Sequence, residues 1–69
     1  MPNQHEGRGL ARKRKMVGLT QHQLAKDANV LLSRLIFAET GRTILEPSEI
    51  DRIRKVLRNK AQKAMDAVA

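Results

Sequence analysis

Residues 20–42, TQHQLAKDANVLLSRLIFAETGR, constrain the fold more than any other stretch of this 69-residue chain. Thr20 is a good helix N-cap, because its hydroxyl can accept a hydrogen bond from a free backbone N–H of the first turn. The apolar residues that follow have the spacing of one narrow helical face: Leu24, Ala25 and Ala28. They predict a short helix over about residues 21–28. Asn29 tolerates the left-handed backbone that ends a helix, so a tight turn is expected there.

A second apolar-periodic run starts at Val30 and continues to Gly41, a residue suited to ending a helix. It predicts a second helix over residues 31–39. Two short helices joined by a turn of three or four residues form a helix-turn-helix motif. We therefore expect such a motif over residues 20–42.

Helices are also predicted on either side of this motif. Residues 10–17 form a first helix that ends at Gly18. Pro47 begins a last helix over residues 48–67, in which apolar residues recur every three or four positions without glycine or proline. A break near Asn59 would divide that helix in two. The expected fold is all-α, with four helices, or five, and an extended C-terminal helix.

The length of the chain allows one domain. Residues 1–8 show no apolar periodicity and are expected to be a flexible N-terminal arm, so that residues 9–69 form the domain. No long apolar run or signal peptide is found, which predicts a soluble, cytoplasmic protein without a membrane partner.

No catalytic, metal-binding or phosphate-binding motif is found in the sequence. The chain has no cysteine and two isolated histidines, so neither a disulfide nor a metal site is expected. Paired carboxylates, a nucleophile beside a base and a glycine-rich phosphate loop are all missing from the pattern. We expect no catalysis, no cofactor and no small-molecule ligand.

Charge is the strongest compositional signal. Fourteen Lys and Arg residues against seven Asp and Glu give a net charge of +7, which favours a polyanionic partner. A basic surface that merely keeps the protein soluble is the alternative. Phe37 is the only aromatic residue, so a stacking surface for single-stranded nucleic acid is not expected. Double-stranded DNA is the better candidate.

Most of the chain, residues 10–57, resembles the lambda-repressor/Cro-like (XRE) family of helix-turn-helix domains. The matching positions are Arg14, Gly18, Leu19, Thr20, Gln21, Leu24, Ala25, Ala28, Val30, Leu35, Glu39 and Gly41. The resemblance implies a sequence-specific DNA-binding transcription regulator, such as a repressor, that binds a palindromic operator as a homodimer. Small domains of this kind look like those of phages and mobile elements.

The resemblance also implies roles for individual residues. Arg14 would pair with Glu39 and tie the first helix to the third; the alternative is that Arg14 is one more solvated charge in a basic run. The second helix of the motif would enter the major groove while the first crosses the backbone. The implied DNA-binding residues are Thr20, Gln21, Leu32, Ser33, Arg34, Ile36, Phe37 and Arg42.

The resemblance implies four base-reading positions: Leu32, Ser33, Ile36 and Phe37. Three of them are apolar, where the family commonly has polar residues. Apolar side chains can contact thymine methyl groups but cannot form bidentate hydrogen bonds with bases. A second hypothesis is therefore a protein-interaction module of the anti-activator type, whose exposed apolar face consists of Leu31, Leu32, Ile36 and Phe37. A third interpretation rotates the helix so that these residues lie in the core.

The C-terminal helix also predicts self-association. A chain of this length buries only about 60% of its unfolded surface and is marginally stable alone. The apolar stripe over residues 48–67 is too long for so small a core to cover. We therefore expect a two-fold homodimer, with this interface: Ile53, Leu57, Ala61 and Ala64.

Overall fold

The computed structural model describes the backbone of residues 5–68 and the side chains of residues 9–65. The described part consists of four α-helices and contains no β-strand. They are α1 (His5–Met16), α2 (Gln21–Ala28), α3 (Leu32–Glu39) and α4 (Pro47–Val68). The all-α prediction is confirmed. None of these helices combines the length and apolar character needed to cross a membrane.

The first helix is longer than the sequence predicts. It begins at His5 rather than at residue 10, so residues 5–8, which were predicted to belong to the N-terminal arm, are helical in the structure. Residues 1–4 of that arm lie outside the described part of the chain. Extending a helix upstream from a formed turn adds one hydrogen bond for each residue fixed, so apolar periodicity is not required at every turn.

The first three helices end in the same way. A residue with positive φ follows each of them: Gly18 (φ 76°), Asn29 (φ 55°) and Gly41 (φ 78°). At the end of α3 the Gly41 N–H donates to the Ala38 carbonyl at 3.1 Å, and the Arg42 N–H donates to the Phe37 carbonyl at 2.7 Å. These two bonds satisfy carbonyls that a helix end leaves without partners. The same pattern ends α1 and α2.

The last helix starts with a cap built from its own first turn. The Ile50 N–H donates to the Glu46 carbonyl at 3.0 Å, and the Glu46 N–H donates to the Glu49 carboxylate at 2.9 Å. Pro47 occupies the first helical position, where its missing N–H costs nothing. From there α4 continues without a break through Asn59 to Val68, so residues 5–68 form four helices, not five.

The core is a single cluster to which every helix contributes. α2 packs against both α3 and α4, and α1 packs against α3. The buried apolar residues are Leu10, Leu19, Leu24, Ala25, Ala28, Val30, Leu35, Ala38, Leu45, Ile53 and Leu57.

Two of the four residues predicted for a dimer interface belong to this core. Ile53 is fully buried and Leu57 is nearly so, because this part of the α4 stripe packs into the common core. The interface prediction is therefore wrong at these two positions. Ala61 is half-buried and Ala64 is exposed, and both remain on the surface.

Candidate nucleic-acid interface

One side of α3 faces the core and the other faces solvent. Leu35 and Ala38 hold its inner side in the core. The α3 outer face consists of Leu32, Ser33, Ile36 and Phe37. Leu32 is 37% exposed and Phe37 is 44% exposed. The interpretation that rotates these residues into the core is therefore wrong.

Further apolar side chains adjoin the α3 outer face. Leu31 directly precedes α3 and is 70% exposed. The Thr43 N–H donates to the Phe37 carbonyl at 3.3 Å, so the connector passes beside the end of α3 and carries the exposed Ile44 there. The exposed apolar surface around α3 thus extends beyond the helix itself.

Arg34 lies near the start of α3 and is held by a carboxylate of α4. Its Nε donates to Glu49 Oε2 at 2.8 Å and its Nη2 donates to Glu49 Oε1 at 2.7 Å. Such a bidentate pair fixes the plane of both groups. The structure thus places Arg34, which the resemblance assigns to DNA, in an ion pair between α3 and α4.

The pKa values of the two partners reflect this contact. Hydrogen bonds from Arg34, with that from the Glu46 N–H, lower the pKa of Glu49 from its ordinary 4.5 to about 2, although burial opposes the shift. The hydrogen bonds between Arg34 and Glu49, together with the charge of Glu49, raise the pKa of Arg34. The pair is therefore fully ionised at neutral pH.

Glu39 holds the other end of α3. Arg14 of α1 donates through Nε to Glu39 Oε2 at 2.8 Å and through Nη2 to Oε1 at 2.9 Å. Its Nη1 donates to the Leu19 carbonyl at 2.9 Å. Both side chains of the pair are less than a tenth exposed. The ion pair that the resemblance implies is thus present, and the alternative of a solvated Arg14 is wrong.

Gln21 joins the same network from the first turn of α2. Its Nε2 donates to Glu39 Oε1 at 2.9 Å, so one carboxylate connects α1, α2 and α3. Thr20 precedes it as the N-cap, and its hydroxyl accepts from the Gln23 N–H at 3.0 Å. The Gln23 side chain in turn accepts from the Thr20 N–H at 2.9 Å, which completes a capping box.

Basic side chains are distributed unevenly over the described surface. Arg42 is exposed and follows the end of α3 directly. A larger set of exposed basic residues lies on α1 and α4: Arg12, Lys13, Lys15, Arg54, Lys55, Arg58, Lys60 and Lys63. The α3 outer face therefore has an apolar surface flanked by the paired Arg34 and the exposed Arg42, whereas most of the positive charge lies on α1 and α4.

Two contacts of this site were not predictable from sequence spacing. Arg52 donates through Nε to the Ala28 carbonyl at 2.9 Å and through Nη2 to the Asn29 carbonyl at 3.4 Å, which ties α4 to the turn before α3. Glu49 is recognisable as a first-turn acid, but nothing in the pattern identifies Arg34 as its partner.

No group of three or more potential ligands within the described residues is placed to hold a metal ion.

Comparison with known proteins gives no match: no family model, no curated protein and no solved structure is significantly similar to this chain.

Proposed function

We propose that this protein is a sequence-specific DNA-binding transcription regulator of the helix-turn-helix type, in which α3 enters the major groove. One observation carries the proposal: α3 is an exposed short helix held by ion pairs at both ends. Arg34 joins it to Glu49 of α4, and Glu39 joins it to Arg14 of α1. A helix that reads base edges must keep a fixed position relative to the backbone contacts, and these pairs supply that rigidity.

The dimensions and charge of the molecule agree with this role. An α-helix with its side chains is about 10–12 Å in diameter, which fits a major groove about 12 Å wide. The net charge of +7 favours phosphate contacts, and Arg42, which is exposed directly after α3, can make one of them. On the α3 outer face, Ser33 can hydrogen-bond to a base and Phe37 can contact a thymine methyl group. Base reading would therefore be sparse and affinity mainly electrostatic.

In this proposal the predicted homodimer forms only on DNA. The exposed apolar side chains left on the described part of α4 are few, and a stable free interface uses about 20–30 residues from each partner. We propose that the protein is monomeric in solution and that a second copy binds beside the first on a palindromic operator.

The test is a binding titration with labelled duplex DNA from the region upstream of the protein's own gene. Affinity should fall steeply as salt rises, because phosphate contacts release counterions. Phe37→Ala should reduce the preference for this duplex over a scrambled one by about tenfold while the variant remains folded. Met16→Ala removes an apolar side chain outside α3 that is 79% exposed, against 44% for Phe37, and is the control. Salt-independent binding, or none, would contradict the proposal.

A second candidate function has its own supporting observation. Leu31, Leu32, Phe37 and Ile44 are all exposed large apolar residues in or beside α3. Such surfaces usually bind another protein. If Phe37→Ala and Leu32→Ala leave DNA affinity unchanged but abolish regulation in cells, the α3 outer face is a protein interface of the anti-activator type.

A further inference from the structure

A groove separates the end of α1 from the middle of α4. Its volume is about 350 Å³, and all of its described lining residues belong to α1, to α4 or to the turn after α1. None of them belongs to α2 or α3, so the groove shares no lining residue with the α3 outer face. We call it the α1–α4 groove.

The floor of the groove is apolar. It consists of Met16, Val17, Leu57 and Ala61. Met16 is 79% exposed although it lies beside these residues. One α-helical turn beyond Ala61, Met65 is 74% exposed and continues the same stripe of α4. The apolar surface is therefore elongated, and its two methionines can adapt to the shape of a partner.

The rim of the groove is cationic. Lys13 stands on the α1 side and Arg58 on the α4 side, and both are exposed. None of the described residues that line the groove is acidic. A ligand that buries apolar groups on the floor would therefore bring its flanking groups close to positive charges on both sides.

We infer that the α1–α4 groove binds an acidic amphipathic helix of a partner protein. Apolar residues at helical spacing would lie on the floor, and glutamate or aspartate residues beside them would pair with Lys13 and Arg58. This is the helix-in-groove mode of recognition, with electrostatic complementarity at the rim.

Two other occupants fit the groove less well. A second copy in a two-fold contact would place Lys13 and Arg58 against the same cations of its partner, and such like-charge contacts are costly. Duplex DNA would match the rim but would set phosphates and sugars over an apolar floor. Neither a second copy nor duplex DNA would contact both the apolar floor and the cationic rim favourably.

The test uses a fluorescein-labelled synthetic peptide of about 16 residues, enough for four helical turns, with leucine along one face and glutamate elsewhere. One control peptide has the same composition in permuted order, and another has lysine in place of glutamate. We expect the amphipathic glutamate peptide to bind with a dissociation constant in the micromolar range and each control at least about tenfold more weakly. Equal binding of the permuted peptide would overturn the inference.

Protein variants locate the binding surface. The double variant K13E/R58E should weaken peptide binding by at least about tenfold, whereas K15E/K26E makes the same change in net charge at exposed positions outside the groove and should have a smaller effect. Met16→Gln should also weaken binding by about tenfold, because it makes the floor polar. Circular dichroism checks that each variant is folded. Equal losses in the two double variants, or no loss in Met16→Gln, would overturn the inference.

Sedimentation of the free protein completes the test. We expect a monomer at tens of micromolar. A dimer that Met16→Gln dissociates would show that a second copy occupies the groove, and a loss of duplex DNA binding in Met16→Gln would show that DNA does. Either result would overturn the inference.

Discussion

Arg34 and Glu49 join the start of α3 to the first turn of α4 through two hydrogen bonds of 2.8 and 2.7 Å. Glu49 Oε1 also accepts from the Glu46 N–H at 2.9 Å, so the same carboxylate caps α4 and positions α3. A change at either partner should therefore affect both the beginning of α4 and the placement of the α3 outer face.

The first prediction concerns the pH dependence of stability. The pKa of Glu49 is lowered by its hydrogen bonds to about 2 in the folded protein, against an ordinary 4.5. A carboxyl whose folded pKa is depressed stabilises the protein fully above its unfolded pKa, and loses that contribution as the pH falls through its folded pKa. Urea unfolding should therefore show a stability contribution from Glu49 that is constant above about pH 5 and declines from there to about pH 2.

Glu49→Gln is the matched variant for this measurement. It should be less stable than the wild type near neutral pH, and the difference should shrink as the pH approaches about 2. A difference that stays the same over this range would show that the ionised form of Glu49 does not stabilise the fold.

The second prediction concerns the buried pair. Replacing Glu39 by Ala leaves the Arg14 guanidinium without its carboxylate, although its bond to the Leu19 carbonyl can remain. Stranding a buried charge costs about 3 kcal/mol. That is a large fraction of the stability of a small domain, which is commonly about 5 kcal/mol. Chemical unfolding should show the loss, and Asp51→Ala, which removes an exposed carboxylate, should have little effect.

The third prediction uses two glycines with opposite backbone requirements. A Cβ at Gly9 or at Gly18 would have no other atom within 4 Å, so neither substitution by Ala causes a clash. Gly9 lies inside α1, where Ala should raise stability by about 0.5–1 kcal/mol. Gly18 has φ 76°, where Ala should lower stability by about 1–2 kcal/mol. Thermal melts that shift in the same direction for both variants would contradict this account.

Local signals in the sequence predicted the ends of the helices well. The N-cap at Thr20 and the left-handed residues Gly18, Asn29 and Gly41 all appear in the structure, because each is decided by neighbours within a few positions. The Arg14–Glu39 pair spans 25 positions and was implied only by the resemblance. No spacing rule could have supplied it, since both residues also suit a solvated helix surface.

Tertiary packing decided what the sequence left open. The stripe on α4 has the same periodicity throughout, but Ile53 and Leu57 are buried in the common core while Ala64 stays exposed. Periodicity shows which residues share a face and not which neighbour covers it. The same limit applies to Arg34, which has no charged partner within its own helix and finds Glu49 across the fold.

The last prediction separates the two arginines beside the α3 outer face. Arg42 is exposed at the end of α3, whereas Arg34 is held by Glu49. On the DNA-binding proposal, Arg42→Ala should weaken binding to all duplexes alike and reduce the salt dependence by about one counterion, because it removes a phosphate contact.

Arg34→Ala should act differently, through the position of α3. It should lower the melting temperature and the preference for the specific duplex, while the slope of affinity against salt stays near that of the wild type. Arg12→Ala, within the exposed basic run of α1, is the control and should change neither property much, because neighbouring cations can replace it. If Arg34→Ala reduces the salt dependence by about as much as Arg42→Ala, the guanidinium leaves Glu49 to bind a phosphate, and its structural role ends when DNA binds.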